Sequence, residues 1–295
     1  RNGTRHLSRL LVAAAIAIAP IRAGVAAPDK AFLWKVESPT NTLYLLGSIH
    51  VLQASDYPLA PEMQAAFDDA EHVIFEIDMS AFNDLETQAL TLQKAQPDGA
   101  EETLTEALSD STYALAKTKA AELGMPIEAF HAFEPWFFSL ALTVTKMQSL
   151  GFDPRYGVDL YFFQQAANSD KGIFSLETLD EQLTMLDGLP SANQDQQMRQ
   201  TLEALDEIDD SMEFMLAAWK TGDADRLEDI LFASYQDYPE LYERVFSDRN
   251  LNWLDTLEDL IGADDDYLAI VGAGHLVGKD GLVNLLRAKG YQVEQ

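Results

Sequence analysis

Short apolar runs of strand length stand near both ends of the chain, and one more lies between them. This distribution limits the fold more than any other feature. At the front, residues 31–38 and 42–46 are rich in aromatic and aliphatic side chains and flank Pro39-Thr40-Asn41. They predict a β-hairpin whose second strand runs into Gly47. Residues 61–70 have helical spacing, with Pro61 suited to a first turn, and 72–77 is again short and apolar. The stretch 42–77 therefore reads strand, helix, strand, the order of a parallel βαβ unit. At the far end, 267–271 predicts a strand, 281–288 a helix and 291–293 a last strand. Helical periods cover 101–123, 135–149, 157–168, 179–187, 195–220, 223–235 and 238–261, interrupted by one strand at 172–176. Strands at both ends must bury their apolar faces against common partners. The expected fold is α/β: one mixed sheet built from both chain ends, with a large helical insertion between them.

Residues 1–27 differ from the rest. They carry Arg1, Arg5, Arg9 and Arg22 and no acid, then an apolar run from Leu10 to Ala19, then small residues at Ala23-Gly24-Val25-Ala26-Ala27. This is the pattern of a signal peptide, and the run is too short to span a bilayer. The expectation is a signal peptide over 1–27, one domain over 28–295, no transmembrane span after signal removal, and a periplasmic or secreted bacterial location. The 295 residues include no Cys, which excludes disulfides, thiolate metal sites and a Cys nucleophile. A core of this size in the periplasm needs no covalent staples. The net charge of −29 argues against nucleic acid or an anionic membrane as partner. Clusters such as Asp264-Asp265-Asp266 lack the EF-hand pattern and read as solvated loops.

Four predicted strands end in residues able to do chemistry. They lead into Gly47-Ser48-Ile49-His50, into Glu76 and Asp78, into Glu177-Thr178, and into Gly272-Ala273-Gly274-His275. Open α/β sheets form their sites beyond the carboxyl ends of the strands, so parallel neighbours would bring these groups together. Of five His, His50 and His275 both have Gly three residues earlier. Gly permits a tight turn and a close backbone approach to a ligand, and the His that follows projects into the crevice. Two neutral imidazoles and a carboxylate make a divalent metal site with one position left for water. For either His alone, a satisfied core histidine is the plainer account.

Glu76 lies in the apolar run Val73-Ile74-Phe75-Glu76-Ile77 and must be paired, liganded or shifted in acidity, unless alternation turns it to a solvent edge. Asp78 would share its strand face and competes with it. Glu177 acts likewise, or supports the cap of the helix from 179 with Thr178. Asp159 lies near a helix start, where the dipole alone accounts for it. Arg249, beside Asn250, has the chemistry to hold an oxyanion or a structural carboxylate. His72, His131 and Glu134 read as structural. No Gly-x-Ser-x-Gly elbow, His-Glu-x-x-His or Walker loop is present.

These pieces resemble the TraB/GumN family, which is related to the Tiki metalloproteases and more distantly to erythromycin esterases. The matching segments are Phe32–Val36, Thr42–His50, Phe75–Asp78, Gly151-Phe152-Asp153 with Gly157-Val158-Asp159, and Leu176-Glu177-Thr178 with Gln182. Ala218-Trp219 with Gly222-Asp223, Arg249-Asn250 with Trp253, and Val271–Gly278 complete the set. The resemblance implies an α/β fold with two Gly-x-x-His motifs and an acidic residue at one centre. His50 and His275 would bind a divalent metal (Zn, Mn or Co) or orient water, and Glu76 would be a metal ligand or the general base. The first motif carries Ser48 where Thr is frequent, which keeps the hydroxyl. The resulting expectation is an exported metal-dependent hydrolase, a peptidase acting on a peptide or small-molecule substrate. Two alternatives stand beside it: a non-catalytic periplasmic peptide- or ligand-binding protein, and a metal-free esterase-like hydrolase using His50, His275 and Glu76 as acid–base groups.

Overall fold

The computed structural model describes residues 30–80, 85–97, 103–187, 191–233, 235 and 239–295. The expected signal peptide lies outside the described residues. The predicted hairpin is β1 (Leu33–Glu37) and β2 (Thr42–Ser48), paired antiparallel with Leu33 opposite Leu46. After α1 (Pro61–Asp69) come β3 (His72–Phe75), β4 (Gly172–Ser175), β5 (Tyr267–Gly272) and β6 (Val293–Glu294). The six strands form one sheet in the order β4-β3-β5-β2-β1-β6. β2, β5, β3 and β4 are mutually parallel, whereas β1 runs antiparallel to both β2 and β6. The expected mixed sheet built from both chain ends is therefore present. β5, which arrives last of the four parallel strands, sits between β2 and β3 and joins the front of the chain to its end. That central place explains its unbroken apolar sequence, with Leu268, Ala269, Ile270 and Val271 all buried.

The insertion comprises α2 (Leu85–Lys94), α3 (Leu104–Ala107), α4 (Asp110–Glu122), α5 (Pro135–Ser149), α6 (Val158–Ala167), α7 (Leu179–Asp187), α8 (Ser191–Ala204), α9 (Ile208–Thr221), α10 (Ala224–Ala233), α11 (Pro239–Tyr242) and α12 (Asp248–Leu260). α13 (Leu282–Ala288) leads into β6. α6, α9, α10 and α12 bury Phe162, Trp219, Leu227 and Trp253 against the sheet. α3, α4, α5 and α8 enclose a separate core around Leu104, Ala120, Phe138, Leu142 and Leu202. No helix among the described residues is long and apolar enough to cross a membrane.

Three predicted helices are interrupted, each for a local reason. The period over 101–123 breaks because Ser109 caps α4, its hydroxyl accepting from the Thr112 amide. The period over 195–220 breaks before Asp209 and Asp210, which occupy the first turn of α9, where the helix dipole favours acids. The period over 238–261 contains one π-turn at Glu243–Ser247. α2 falls where no helix is expected; its Leu90 and the following Ala95 pack with Trp136 and Leu183 in a third small core.

Candidate functional site

The parallel strands place their carboxyl ends side by side. Ser48 of β2 is level with Gly272 of β5, and Phe75 of β3 is level with Ile270 of β5 and Ser175 of β4. The chain leaving β4 stays beside the chain leaving β3, because Glu177 N donates to Glu76 O at 2.9 Å. Glu76 and Glu177 are thereby held as neighbours. The turn after β2 is tied to the start of α6 by Val158 N donating to Ile49 O at 3.1 Å. A Cβ on Gly157 would collide with the His50 carbonyl, so glycine permits that approach and brings Asp159 to His50.

At the centre lies a cation. Arg249 comes from the first turn of α12, directly after the π-turn, a distortion that often marks functional sites. Its Nη2 donates to Glu76 Oε2 at 2.5 Å and to Glu177 Oε1 at 2.7 Å, and its Nε to Glu177 Oε2 at 3.1 Å. Nη1 lies 2.9 Å from His275 Nε2. The guanidinium also stacks on Trp253, 4.7 Å from its ring centre, and Trp253 Nε1 donates to Glu177 at 3.2 Å. Glu76 Oε1 accepts from the Gly272 amide at 2.6 Å, and Gln182 reaches both carboxylates.

These contacts set the ionisation of the group. Burial pushes Glu76 upward, but the His275 ring, Arg249, His50 and the Gly272 amide outweigh it and hold the carboxyl at about 2. Burial also drives His275 down to about 3, with Arg249 adding to the effect against the pull of Glu76. His275 is therefore neutral at pH 7, and its 3.9 Å approach to Glu76 is not an ion pair there. Arg249 and His50 are the cations that act on Glu76 at that pH. His50 behaves oppositely. Burial opposes its protonation, yet Asp159, 3.0 Å from Nδ1, and the more distant Glu76 carry it up to about 9. The His50 ring is 58% exposed into the cavity. Burial pushes Glu177 up while Arg249 restrains it.

His50, Glu76 and Asp159 line a cavity of about 590 Å³ together with Gln182, Phe75 and Phe163. His275 and Arg249 sit behind Glu76. The expected trio is thus brought together, but in two layers, with His50 and Glu76 at the cavity and His275 in the wall. Asp159 and Glu177 both join the group through partners on other elements. Asp159 does more than support its own helix, and Thr178 caps α7 without Glu177, its hydroxyl accepting from the Glu181 amide. Asp78 does not join: β3 ends at Phe75, so alternation no longer carries to 78, and its carboxylate is exposed and bonded to Ser80. Asn250, Gln182 and Trp253 carry site contacts that sequence reasoning did not assign.

The two motif glycines serve different ends. A Cβ on Gly272 would stand 3.2 Å from Glu76 Oε1 and 3.3 Å from His50 Nε2, so this glycine lets the backbone reach the site. A Cβ on Gly47 would collide with the Phe32 ring; that glycine serves packing.

The donors as arranged do not fit a divalent metal. The His275 Nε2 lone pair faces Arg249, and both Glu76 oxygens already accept hydrogen bonds from protein groups. Among the described residues no three His, Asp or Glu side chains are grouped to hold a metal ion.

The chain is 26% identical over 254 residues to the uncharacterized protein YbaP of Escherichia coli, covering 83% of this chain and 87% of that one. The match to YbaP of Shigella flexneri has the same extent, and an uncharacterized protein of Treponema pallidum is 23% identical over 155 residues, 52% of this chain and 45% of that one. The profile that matches residues 32–295 takes in all six strands and both Gly-x-x-His turns, and by that match the chain belongs to the TraB/PrgY/gumN family.

Proposed function

We propose that the protein is a hydrolase that works with its own side chains, Glu76 and His50, on a neutral ester or amide bearing an apolar group. The observation that supports this most is their placement: Glu76 Oε1 and His50 Nε2 both lie beside the bare Cα of Gly272, and both residues line the cavity. A water between them would give a hydrogen bond to the Glu76 carboxylate as its oxygen attacks the substrate carbonyl. Glu76 is too acidic to keep the proton, so it orients the water and passes the proton on as the leaving group departs. His50, protonated through Asp159, faces the developing oxyanion and gives its proton to the leaving atom, and the proton that Glu76 took from the water returns to His50. Arg249 and His275 hold Glu76 in place from behind. Phe75, Ile77, Met79, Leu160, Phe163 and Ile270 supply apolar walls. Among the described residues no basic side chain besides His50 lines them, which favours an uncharged apolar substituent over an anionic one. Export through residues 1–27 is part of the same reading, and detection of the tagged full-length protein in a periplasmic fraction would check it.

Purified protein should turn over neutral esters or amides with bulky apolar groups, and chelator treatment should leave the rate unchanged. Activity that appears only with added Zn²⁺, Mn²⁺ or Co²⁺ would favour the metal-dependent peptidase reading instead. Saturable binding of such compounds without turnover would favour a ligand-binding protein. The pH profile supplies an independent check. With His50 at about 9 and Glu76 at about 2, kcat/KM should be flat through neutrality and fall above pH 9. Asp159→Asn removes the carboxylate that holds the proton on His50, so its falling limb should move to lower pH. An unmoved limb would separate His50 from the step.

The glycines separate site from scaffold. Gly47→Ala should lower stability by about 1–3 kcal/mol through overpacking against Phe32. Gly272→Ala should cost activity more than stability, because the His50 ring can yield into the cavity but then loses its register with Glu76. Urea midpoints and kcat/KM for the two variants check this; a Gly272→Ala variant of normal activity would remove the close approach from the argument.

A further inference from the structure

Asn250 fixes which nitrogen of His275 carries the proton. Its Nδ2 donates to two backbone carbonyls, His275 O at 3.2 Å and Asp280 O at 2.7 Å. Carbonyls only accept, so the amide can face them only with its NH₂ end. The other end, Oδ1, then lies 2.7 Å from His275 Nδ1. Turning the amide over would set an oxygen against two oxygens, so the network assigns its orientation. On the far side of the ring, Nε2 lies 2.9 Å from Nη1 of Arg249, a group with donors only. Two unrelated neighbours therefore require the same state: a proton on Nδ1 and a lone pair on Nε2. Both His275 and Asn250 are fully buried, so solvent offers neither atom another partner.

We infer that Asn250 is a positioning residue that locks His275 as the Nδ1–H tautomer, and that His275 aims Arg249 at Glu76 rather than serving as acid, base or metal ligand. The guanidinium is flat and its five donors point in fixed directions. With Nη1 held by His275 Nε2 and by Val245 O at 3.3 Å, Nε and Nη2 are directed at Glu177 and Glu76. Trp253 supports both partners, lying 4.5 Å from the His275 ring centre and 4.7 Å from the Arg249 carbon. Were the proton on Nε2 instead, it would point at Arg249 and release that corner of the fork. The inference does not rest on hydrolysis, because the same lock would orient Arg249 in a site that only binds.

The test is spectroscopic. In full-length protein labelled with ¹⁵N at histidine, long-range ¹H–¹⁵N spectra show which nitrogen of each ring is protonated, and the resonances lost in His275→Gln identify His275. Wild type should show protonated Nδ1 and bare Nε2, unchanged across neutral pH and on addition of excess Zn²⁺. Folded Asn250→Ala should show a shift to the Nε2–H form or a ring that titrates. An Nε2–H or doubly protonated ring in wild type, a zinc-induced shift of Nε2, or an unchanged tautomer in folded Asn250→Ala would each overturn the proposal. If Asn250→Ala does not fold, the wild-type spectra and the zinc addition decide it. Where turnover is measurable, His275→Gln keeps an acceptor for Arg249 and should retain activity that His275→Ala loses. The spectra decide the tautomer even if no substrate is found, which separates failure here from failure of the hydrolase reading.

Discussion

Arg249→Met is expected to lower the unfolding free energy by about 3–5 kcal/mol, the cost of removing one partner from a buried ion pair. Arg249 joins two carboxylates with side chains about nine-tenths buried, Glu76 and Glu177, and methionine would leave both without their cation. The size of the deficit should depend on pH. In wild type Glu76 is held at about 2, below its ordinary 4.5, so its contribution to stability is present above 4.5 and is lost as pH falls toward 2. Without Arg249, Glu76 loses one of the groups that lower it and Glu177, already raised by burial, loses the cation that restrains it, so both carboxyls move upward. The folded variant then binds more protons than folded wild type at mildly acidic pH, and its deficit should be smaller at pH about 5 than at pH 7. Arg249→Lys keeps the charge without the fork and should recover part of the loss. Urea unfolding of the three proteins at both pH values measures this. A deficit below about 1 kcal/mol, the value of an exposed pair, would mean that solvent already screens the cluster.

How far this site could be read from the sequence depends on what each residue's signal was. The strands were legible because their apolar runs are short and end at Gly, Asn or acidic residues, and a strand set at both ends leaves few ways to build one sheet. The convergence of His50, Glu76, Glu177 and His275 followed from the strand ends once β2, β5, β3 and β4 proved parallel. The role of Arg249 as holder of a carboxylate was half visible, since its partners lie 173 and 72 residues away. Asn250 was named beside Arg249 without its contact to His275, although a signal exists: it stands at helical spacing with Trp253, Leu254 and Leu257, all buried, so it lies on the inward face of α12. A polar residue on such a face must be satisfied there, and His275 is one of the groups that does it. The tautomer of His275 could not be read at all, because it is fixed by contacts between segments distant in sequence. The same gap leaves the metal expectation open in the sequence: two His and a Glu at strand ends look alike whether an ion or a guanidinium lies between them.

Glu76→Gln should reduce kcat/KM by about 10²–10⁴-fold, the range lost with a positioned proton-transfer group, while the protein stays folded. The fold should survive because Arg249 keeps its two-point contact with Glu177, through Nε at 3.1 Å and Nη2 at 2.7 Å. The amide retains one oxygen for the Gly272 N–H but turns an NH₂ toward either Arg249 or the water, where an acceptor is needed. A modest fall in stability should accompany the loss, since one buried donor is left without a partner. The decisive comparison adds His50→Gln. If both side chains act on one water and its departing group, their effects are not additive, and the double variant should be scarcely slower than the worse single one. Losses that multiply would mean that Glu76 and His50 contact the substrate independently. Turnover by Glu76→Gln close to wild type would remove the carboxylate from the chemistry and leave it as a counter-ion for Arg249.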